Sequence, residues 1–323
     1  MSSILNANFN IYFKNLIIKT GFIYHLNMTH FENNAKDFSY NATPPPSECN
    51  VRYAITFGEA AILHVGGKEY GNGRRDVGFT VQELMKIADS INSSSSTCSA
   101  KVISISSVLP EHLQTDKTNA GVLVIRNGAS LIQCSEDKDR TYSFSADNLL
   151  AEQQTVEYDN KYFDTRRQKT QNKRARYNIV FSANIDDDIK HSDDYRQCSV
   201  KSFNSLPYLS KFRDALPNVF GEEKTSDLEA EGNHYYEDKS GIGYHGDGER
   251  KTVICLSLGK PSVLRYQWRL PNSSEHTFSP VDINIGHGDV YVMSEKATGY
   301  DWRMRSKVRV VHAAGSKKYI GPD

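Results

Sequence analysis

The stretch GIGYHGDGER, residues 241–250, places a histidine and an aspartate two positions apart, at His245 and Asp247. Residues i and i+2 of a β-strand project to the same side, so the imidazole and the carboxylate would face one point. A third ligand must come from elsewhere in the fold. His312 is the best candidate because it lies near the end of a later strand-like run, RSKVRVVHAA. His245, Asp247 and His312 are therefore the candidate ligands of a metal site.

This set of ligands favours a particular metal chemistry. Two histidines and one carboxylate on one face of an octahedral ion leave three positions open, as in non-haem Fe(II) oxygenases. The open positions can take a bidentate 2-oxo acid and then dioxygen. The spacing alone is weak, because a second such pair, His287 and Asp289, occurs in NIGHGDVYVMS. For that second pair we predict a polar turn before a strand.

The elements that would position these residues are mostly strands. After residue 233 the runs KTVICLSLG, SVLRYQWRL, DVYVMS and KVRVVHAA are short, apolar or alternating, and separated by turn residues, which favours a sandwich or barrel. Earlier in the chain, VRYAITFG, KVISISSVL and GVLVIRNGASLI predict further strands. Residues 80–91 and 206–221 have the periodicity of amphipathic helices. The sequence therefore predicts a mainly β fold with flanking helices, of the α+β class.

Composition excludes several classes of protein. Lys+Arg and Asp+Glu balance at 39 each, so attraction to nucleic acid must come from a local patch. The five cysteines are scattered and never spaced as CxxC, which disfavours a zinc ribbon and favours a reducing compartment, cytoplasmic or nuclear. No apolar run is long enough to span a membrane. Residues 1–50, which end near TPPPS, are predicted to be a tail, and Met28 is an alternative start to Met1.

One basic patch is local. The stretch YFDTRRQKTQNKRARY, residues 162–177, interleaves aromatic residues with cations. It is either a solvated loop or a contact for phosphates with aromatic rings available to stack on bases. Its candidate substrate-binding residues are Arg166, Arg167, Lys173, Arg174 and Tyr177. The Gly-rich stretch at residues 64–75 matches no nucleotide-binding motif and is predicted to be a flexible loop, with phosphate contact as the alternative.

The residues around the first His-x-Asp pair also form a larger pattern. The segment EGNHYYEDKSGIGYHGDGER resembles the signature of AlkB-like 2-oxoglutarate/Fe(II) dioxygenases, in which N-x-Y precedes H-x-D and an acidic residue follows. These positions are Asn233, Tyr235, His245, Asp247 and Glu249 here. An LP-containing helix before the segment, a GDVYVMS strand after it and a distal histidine complete the likeness, which covers about residues 160–315.

The resemblance implies a fold, a cofactor pair and a substrate. The fold would be a double-stranded β-helix (jelly-roll) core in residues 155–323, behind a smaller α+β module of unknown role in residues 51–150. His245, Asp247 and His312 would hold Fe(II), with no catalytic residue beyond this centre. Asn233 and Tyr235 would hydrogen-bond 2-oxoglutarate, and Glu249 would lie near the substrate base. The substrate would be an alkylated base of DNA or RNA, whose N-methyl group is hydroxylated and lost as formaldehyde.

One departure from the family pattern leaves alternatives open. The family carries R-x5-R on the strand after the distal histidine to bind the oxo-acid carboxylates, whereas AAGSKKYIGPD follows His312 here. Lys317 and Lys318 are the candidate replacements, and strand alternation predicts that Arg309 faces away from the site. The alternatives are an AlkB-like hydroxylase of a protein or small molecule, and a binding module with a degenerate site. No obligate protein partner is predicted.

Overall fold

A computed structural model describes residues 49–63, 68–134 and 144–321 of the chain. The predicted tail therefore lies almost entirely outside the described residues. The strands are β1 (Arg52–Gly58), β2 (Ala60–Ile62), β3 (Glu69–Gly71), β4 (Ser99–Ser104), β5 (Gly121–Arg126), β6 (Lys161–Asp164), β7 (Lys169–Asn172), β8 (Tyr177–Ser182), β9 (Val200–Ser202), β10 (Glu229–Tyr235), β11 (Gly241–His245), β12 (Val253–Gly259), β13 (Ser262–Arg269), β14 (Val281–Ile285), β15 (Val290–Met293) and β16 (Arg309–Gly315). The α-helices are α1 (Val81–Ser94), α2 (Ala146–Thr155), α3 (Pro207–Phe220), α4 (Glu222–Thr225) and α5 (Lys317–Ile320).

Two sheets dominate the fold, which confirms the prediction of a mainly β protein with flanking helices. The larger sheet has eight strands in the order β4-β5-β15-β12-β1-β10-β8-β9. The smaller has four, in the order β11-β16-β13-β14. Two short hairpins, β2–β3 and β6–β7, lie outside these sheets.

The two sheets pack face to face across an apolar layer. Val124 and Met293 of the larger sheet belong to the same buried cluster as Leu264 and Trp268 of the smaller sheet. Trp268 is also held by its indole N–H, which donates to the carbonyl of Ile105 at 2.9 Å. The strands of the two sheets thus enclose a common interior, at one end of which the predicted site lies.

The opposite face of the larger sheet is covered by helices. Ile55 and Phe57 of β1 are fully buried in a second cluster with Leu84, Leu149 and Phe212 from α1, α2 and α3. Because strand residues alternate between faces, the intervening Ala54 and Thr56 of β1 point toward the other sheet and the cavity described below.

The two long helices confirm the sequence prediction. Helix α1 begins after a capping box in which the Thr80 hydroxyl accepts from the N–H of Glu83 at 3.1 Å and the Glu83 carboxylate accepts from the N–H of Thr80 at 2.8 Å. Helix α3 begins with Pro207 at its first position and ends before Gly221. Among the described residues, no helix is long and apolar enough to cross a membrane.

The strand pairing crosses the boundary that the sequence suggested near residue 150. Strand β1 pairs with β10 on one side and β12 on the other, and β5 pairs with β15. A strand in the middle of a sheet needs backbone partners on both sides, so residues 51–150 supply interior strands of the same sheet as the later residues. All described residues fall in one compact unit, Asn34–Asp323. The larger sheet therefore contains strands from both predicted segments, 51–150 and 155–323.

Candidate metal centre and its cavity

The three predicted ligands meet at one point. Strands β11 and β16 are antiparallel, and their register sets His245 opposite His312. Asp247 lies two residues past the end of β11, where its N–H donates to the carbonyl of Thr298 at 2.9 Å. The Nε2 atoms of His245 and His312 lie 3.8 and 3.7 Å from the two carboxylate oxygens of Asp247. One ligand atom from each of the three residues lies within 4.8 Å of the others, a spacing that suits a shared ion.

The two histidines are suited to binding a metal in different ways. His312 is buried, and this burial, helped by the nearby His245 and Arg250, holds its pKa well below the usual range. A neutral imidazole keeps the lone pair that a metal needs. The Nδ1 atom of His245 lies 2.9 Å from the carbonyl oxygen of Gly243, which places the proton on Nδ1 and leaves Nε2 facing the cluster.

The cluster borders a cavity of about 700 Å³ between the two sheets. Asn233 and Tyr235 on β10 both line it, as the sequence predicted. Asn233 accepts a hydrogen bond from Nε of Arg176, and both side chains line the cavity. The ring of Tyr235 is covered by the guanidinium of Arg52, which lies 3.7 Å from the ring centroid.

Glu249 also lines the cavity, but its carboxylate is already paired. Arg250 donates to Glu249 at 2.8 Å and to Glu231 at 3.2 Å, with its own side chain buried. The other terminal nitrogen of Arg250, Nη1, has no hydrogen-bond partner among the described residues. Gly58 leaves room for this arginine, since a Cβ there would lie only 2.7 Å from Cδ of Arg250.

The two lysines proposed as the oxo-acid anchor do not reach the cavity, so that prediction is wrong. Gly315 turns the chain at the end of β16 with a φ of +110°, and Lys317 and Lys318 follow on the exposed helix α5. The ammonium of Lys318 lies 5.2 Å from the centroid of the Tyr319 ring. Arg309 is buried away from the cavity and donates to the carbonyl of Leu270 at 3.0 Å, as strand alternation predicted.

Arg52 is the residue that sequence reasoning missed. It begins β1, directly opposite Tyr235 in the strand register, and is 8% exposed. It lines a small pocket of about 30 Å³ that shares Tyr235, Leu264 and Ala314 with the main cavity. The run VRYAITFG predicts a strand with Arg52 near its start, but it does not indicate which strands pair with it.

The outer part of the cavity wall carries both aromatic and basic side chains. Trp302 and Tyr300 come from the segment between β15 and β16, and Arg303 lies with its guanidinium 5.1 Å from the Trp302 ring. Arg74, from the Gly-rich stretch, donates to the carbonyl of Gly248 at 3.0 Å. The stretch read as a plain loop thus contributes a cation to the cavity mouth.

Comparison with known proteins gives a relationship for the whole chain. No protein-family model matches it. An uncharacterized protein of Acanthamoeba polyphaga mimivirus is 33% identical over 278 residues, which are 85% of this chain and 99% of the viral protein. The chain belongs to the family of that viral protein. The viral relative is uncharacterized and indicates no ligand or reaction for this chain.

Most of the basic stretch 162–177 lies beside the metal cavity, and Arg176 is the member of the stretch that lines it. It forms the hairpin β6–β7 and the start of β8. Arg167, Lys173 and Arg174 line a separate cavity of about 670 Å³, whereas Arg166 is exposed in the hairpin and lines neither cavity. Tyr177 lines neither cavity and stacks on Tyr236, with ring centroids 4.2 Å apart.

The second His-x-Asp pair is engaged in structural bonds. His287 is fully buried, and its Nδ1 accepts from the N–H of Gly259 at 2.9 Å. Asp289 pairs with Arg126 at 2.5 Å and accepts from the N–H of Gly286 at 2.8 Å. These contacts agree with the polar-turn interpretation.

Proposed function

We propose that the chain is an AlkB-like Fe(II)- and 2-oxoglutarate-dependent dioxygenase, with a double-stranded β-helix core, that oxidises alkylated bases of DNA or RNA in the cytoplasm or nucleus. The observation that carries the proposal is the convergence of His245, Asp247 and His312 on the cavity that Asn233 and Tyr235 line. The resemblance had assigned these five residues to one centre.

The residues fit a ferrous ion. Their two imidazoles and one carboxylate come from one end of the interior and leave the cavity side open, as a facial site requires. When bound, Fe(II) and the 2-oxo acid together supply oxidation of a C–H bond by dioxygen, with loss of carbon dioxide from the oxo acid. His312 contributes by staying neutral, and Asp247 by the fixed position that its backbone bond to Thr298 gives it.

The cavity also fits a dianionic oxo acid. Arg250, which lines the cavity, offers a buried nitrogen that has no partner among the described residues. Arg52 offers a buried guanidinium beside Tyr235 in the small adjoining pocket. A guanidinium binds a carboxylate through two parallel N–H groups, which a lysine cannot do. These two arginines, from β1 and from the turn after Asp247, supply the guanidinium groups that the segment after His312 lacks. They remove the main reason to regard the site as degenerate.

The mouth of the cavity suits a nucleic-acid base. Trp302 and Tyr300 offer faces on which a base can stack, and Arg74 and Arg303 offer charge to the adjacent phosphates. A base must leave its helix, or belong to a single strand, to reach an enclosed site. A volume of about 700 Å³ leaves space for a base beside the oxo acid.

The test is an anaerobic titration of the protein with Fe(II) and 2-oxoglutarate, recorded as the visible metal-to-ligand charge-transfer band. We expect the band in the wild type and its loss in His245→Ala. His287→Ala is the matched control, because it removes the histidine of the other His-x-Asp pair, and its band should persist once melting curves show that it is folded. No band in the wild type, or a band that survives in His245→Ala, would contradict the proposal. Turnover of methylated oligonucleotides, compared with methylated peptides, then identifies the substrate class.

A further inference from the structure

A second cavity adjoins the metal cavity and is strongly basic. Its volume is about 670 Å³, and its walls come from the hairpin β6–β7, the link to β8 and Tyr319 of α5. Four cationic residues line it, and the described lining includes no aspartate or glutamate. These cations are Arg167, Lys173, Arg174 and Arg176. Because the whole chain is neutral, with 39 residues of each sign, this is a local concentration of positive charge.

The two cavities share two lining residues. Arg176 and Leu63 line both of them. Arg176 is oriented by its hydrogen bond to Asn233 and by Glu231, whose carboxylate lies 3.7 Å from Nη2. Arg176 therefore borders both the metal cavity and the basic groove.

Aromatic rings accompany the cations. Tyr162 and Tyr319 lie in the wall of the groove. Beside it, Tyr177 and Tyr236 form a stacked pair, and the Tyr236 hydroxyl donates to the carbonyl of Arg174 at 3.2 Å. These four tyrosines are partly exposed. Proteins hold unpaired nucleotides on cationic tracks that carry aromatic rings, since phosphates bind the cations and bases stack on the rings.

One cation of the groove is largely withdrawn from water. The ammonium of Lys173 donates to the side-chain oxygen of Asn178 at 2.5 Å. A partly buried ammonium has already lost part of its hydration, at a free-energy cost that is included in the stability of the fold. A phosphate that binds to it therefore has less water to displace and restores part of the lost polar interaction. This position distinguishes the groove from a surface of fully solvated lysines.

We propose that this groove binds the phosphates and flanking nucleotides of a single-stranded nucleic acid whose target base enters the metal cavity past Arg176. The inference rests on the proposed function for the identity of the target base. It commits to a single strand because the bases on either side of the target must be unpaired to reach the tyrosines.

The test is fluorescence anisotropy with a labelled single-stranded DNA of about fifteen nucleotides, over a range of salt concentrations, on the full chain without added metal. The double variant Arg167→Gln/Arg174→Gln removes two groove charges. Each phosphate contact adds about 0.7 to the slope of log K against log salt for a single strand, so this slope should fall by about 1.4. Arg166→Gln/Lys169→Gln is the matched control: it removes two exposed charges of the same hairpin that do not line the groove, and its slope should stay unchanged.

The outcomes separate the groove from the metal site, because the charge-transfer band is recorded on the same proteins. A smaller slope in the groove variant alone, with an unchanged band, supports the inference. If the slope falls equally in both double variants, the groove is not the binding site. If a wild type that forms the band does not bind the oligonucleotide, the proposal for the groove is likewise overturned, and in both cases the metal site is unaffected. If the wild type forms no charge-transfer band but its oligonucleotide binding still depends on Arg167 and Arg174, the proposal for the groove is supported and the proposed dioxygenase function is overturned.

Discussion

Replacement of Arg52 by methionine should selectively weaken the binding of 2-oxoglutarate. The change keeps an unbranched apolar stem but removes the buried guanidinium beside Tyr235, which we assign to the distal carboxylate. A hydrogen bond to a charged group contributes about 1.5–3 kcal/mol, which corresponds to a loss of affinity of about 10- to 150-fold. Little of this is screened, since Arg52 is 8% exposed. Loss of the cation–π contact should also lower the free energy of unfolding by about 0.5–2 kcal/mol.

The assay is titration of the Fe(II)-loaded protein with two acids, 2-oxoglutarate and 2-oxobutanoate. The second acid keeps the chelating end but lacks the distal carboxylate. Arg52→Met should weaken the first and leave the second almost unchanged, and the difference is the coupling energy between the guanidinium and the carboxylate. Lys317→Ala/Lys318→Ala should change neither affinity, because both lysines lie outside the cavity.

Two results would refute this reasoning. Equal losses for both acids would mean that Arg52 supports the fold of the site rather than the carboxylate. An unchanged affinity for 2-oxoglutarate in Arg52→Met, or a loss confined to the double lysine variant, would place the anchor elsewhere. Arg52→Lys is the intermediate case: it keeps the charge without the planar fork and should recover part of the affinity.

Three further predictions concern the mouth, the groove and the fold. Trp302→Ala should raise KM for a methylated oligonucleotide by about 5- to 150-fold, the value of one stacked base, while the charge-transfer band is unchanged in a binding titration. Burial lowers the pKa of Lys173 to about 8, so oligonucleotide affinity measured by anisotropy should fall as pH rises through that value and the ammonium loses its proton. Burial lowers the pKa of His234 from 6.5 to about 4. As pH falls, His234 is therefore protonated in the unfolded chain before it is protonated in the folded one, and the free energy of unfolding decreases between pH 6.5 and 4. The decrease should be less than about 1.4 kcal/mol per pH unit, because the ring is partly exposed. His234→Phe should reduce that slope in urea melts across this range.

The local parts of the site were predictable from sequence. His245 and Asp247 are two residues apart and were recognisable as a ligand pair, although Asp247 lies in the turn after β11 and is held there by its bond to Thr298 rather than by strand geometry. His312 could be assigned because it ends a strand-like run, and the antiparallel pairing of β11 with β16 places it opposite His245. Helices α1 and α3 were recognisable for the same reason: their periodicity and caps lie within one continuous segment.

The non-local parts were not predictable. The sequence pattern indicated which segments form strands. It did not indicate which strands pair, because pairing depends on contacts between distant segments and not on the periodicity of one segment. Arg52 therefore could not be connected to Tyr235, although their Cα atoms are register partners. Lys317 and Lys318 were chosen because they follow His312 in sequence, and the turn at Gly315 removes them from its surroundings.

The central place of β1 has a consequence for how the protein is made. This strand leaves the ribosome early, yet its partners β10 and β12 are among the last third of the chain to be synthesised. At translation rates of roughly 5–20 residues per second, its backbone groups wait on the order of ten seconds or more for those partners. During that interval an apolar strand with two unpaired edges is open to association with other chains, which a chaperone or slow synthesis would limit. A fragment that starts at residue 155 would lack the strand between β10 and β12, so we expect it to misfold rather than to behave as an independent oxygenase core.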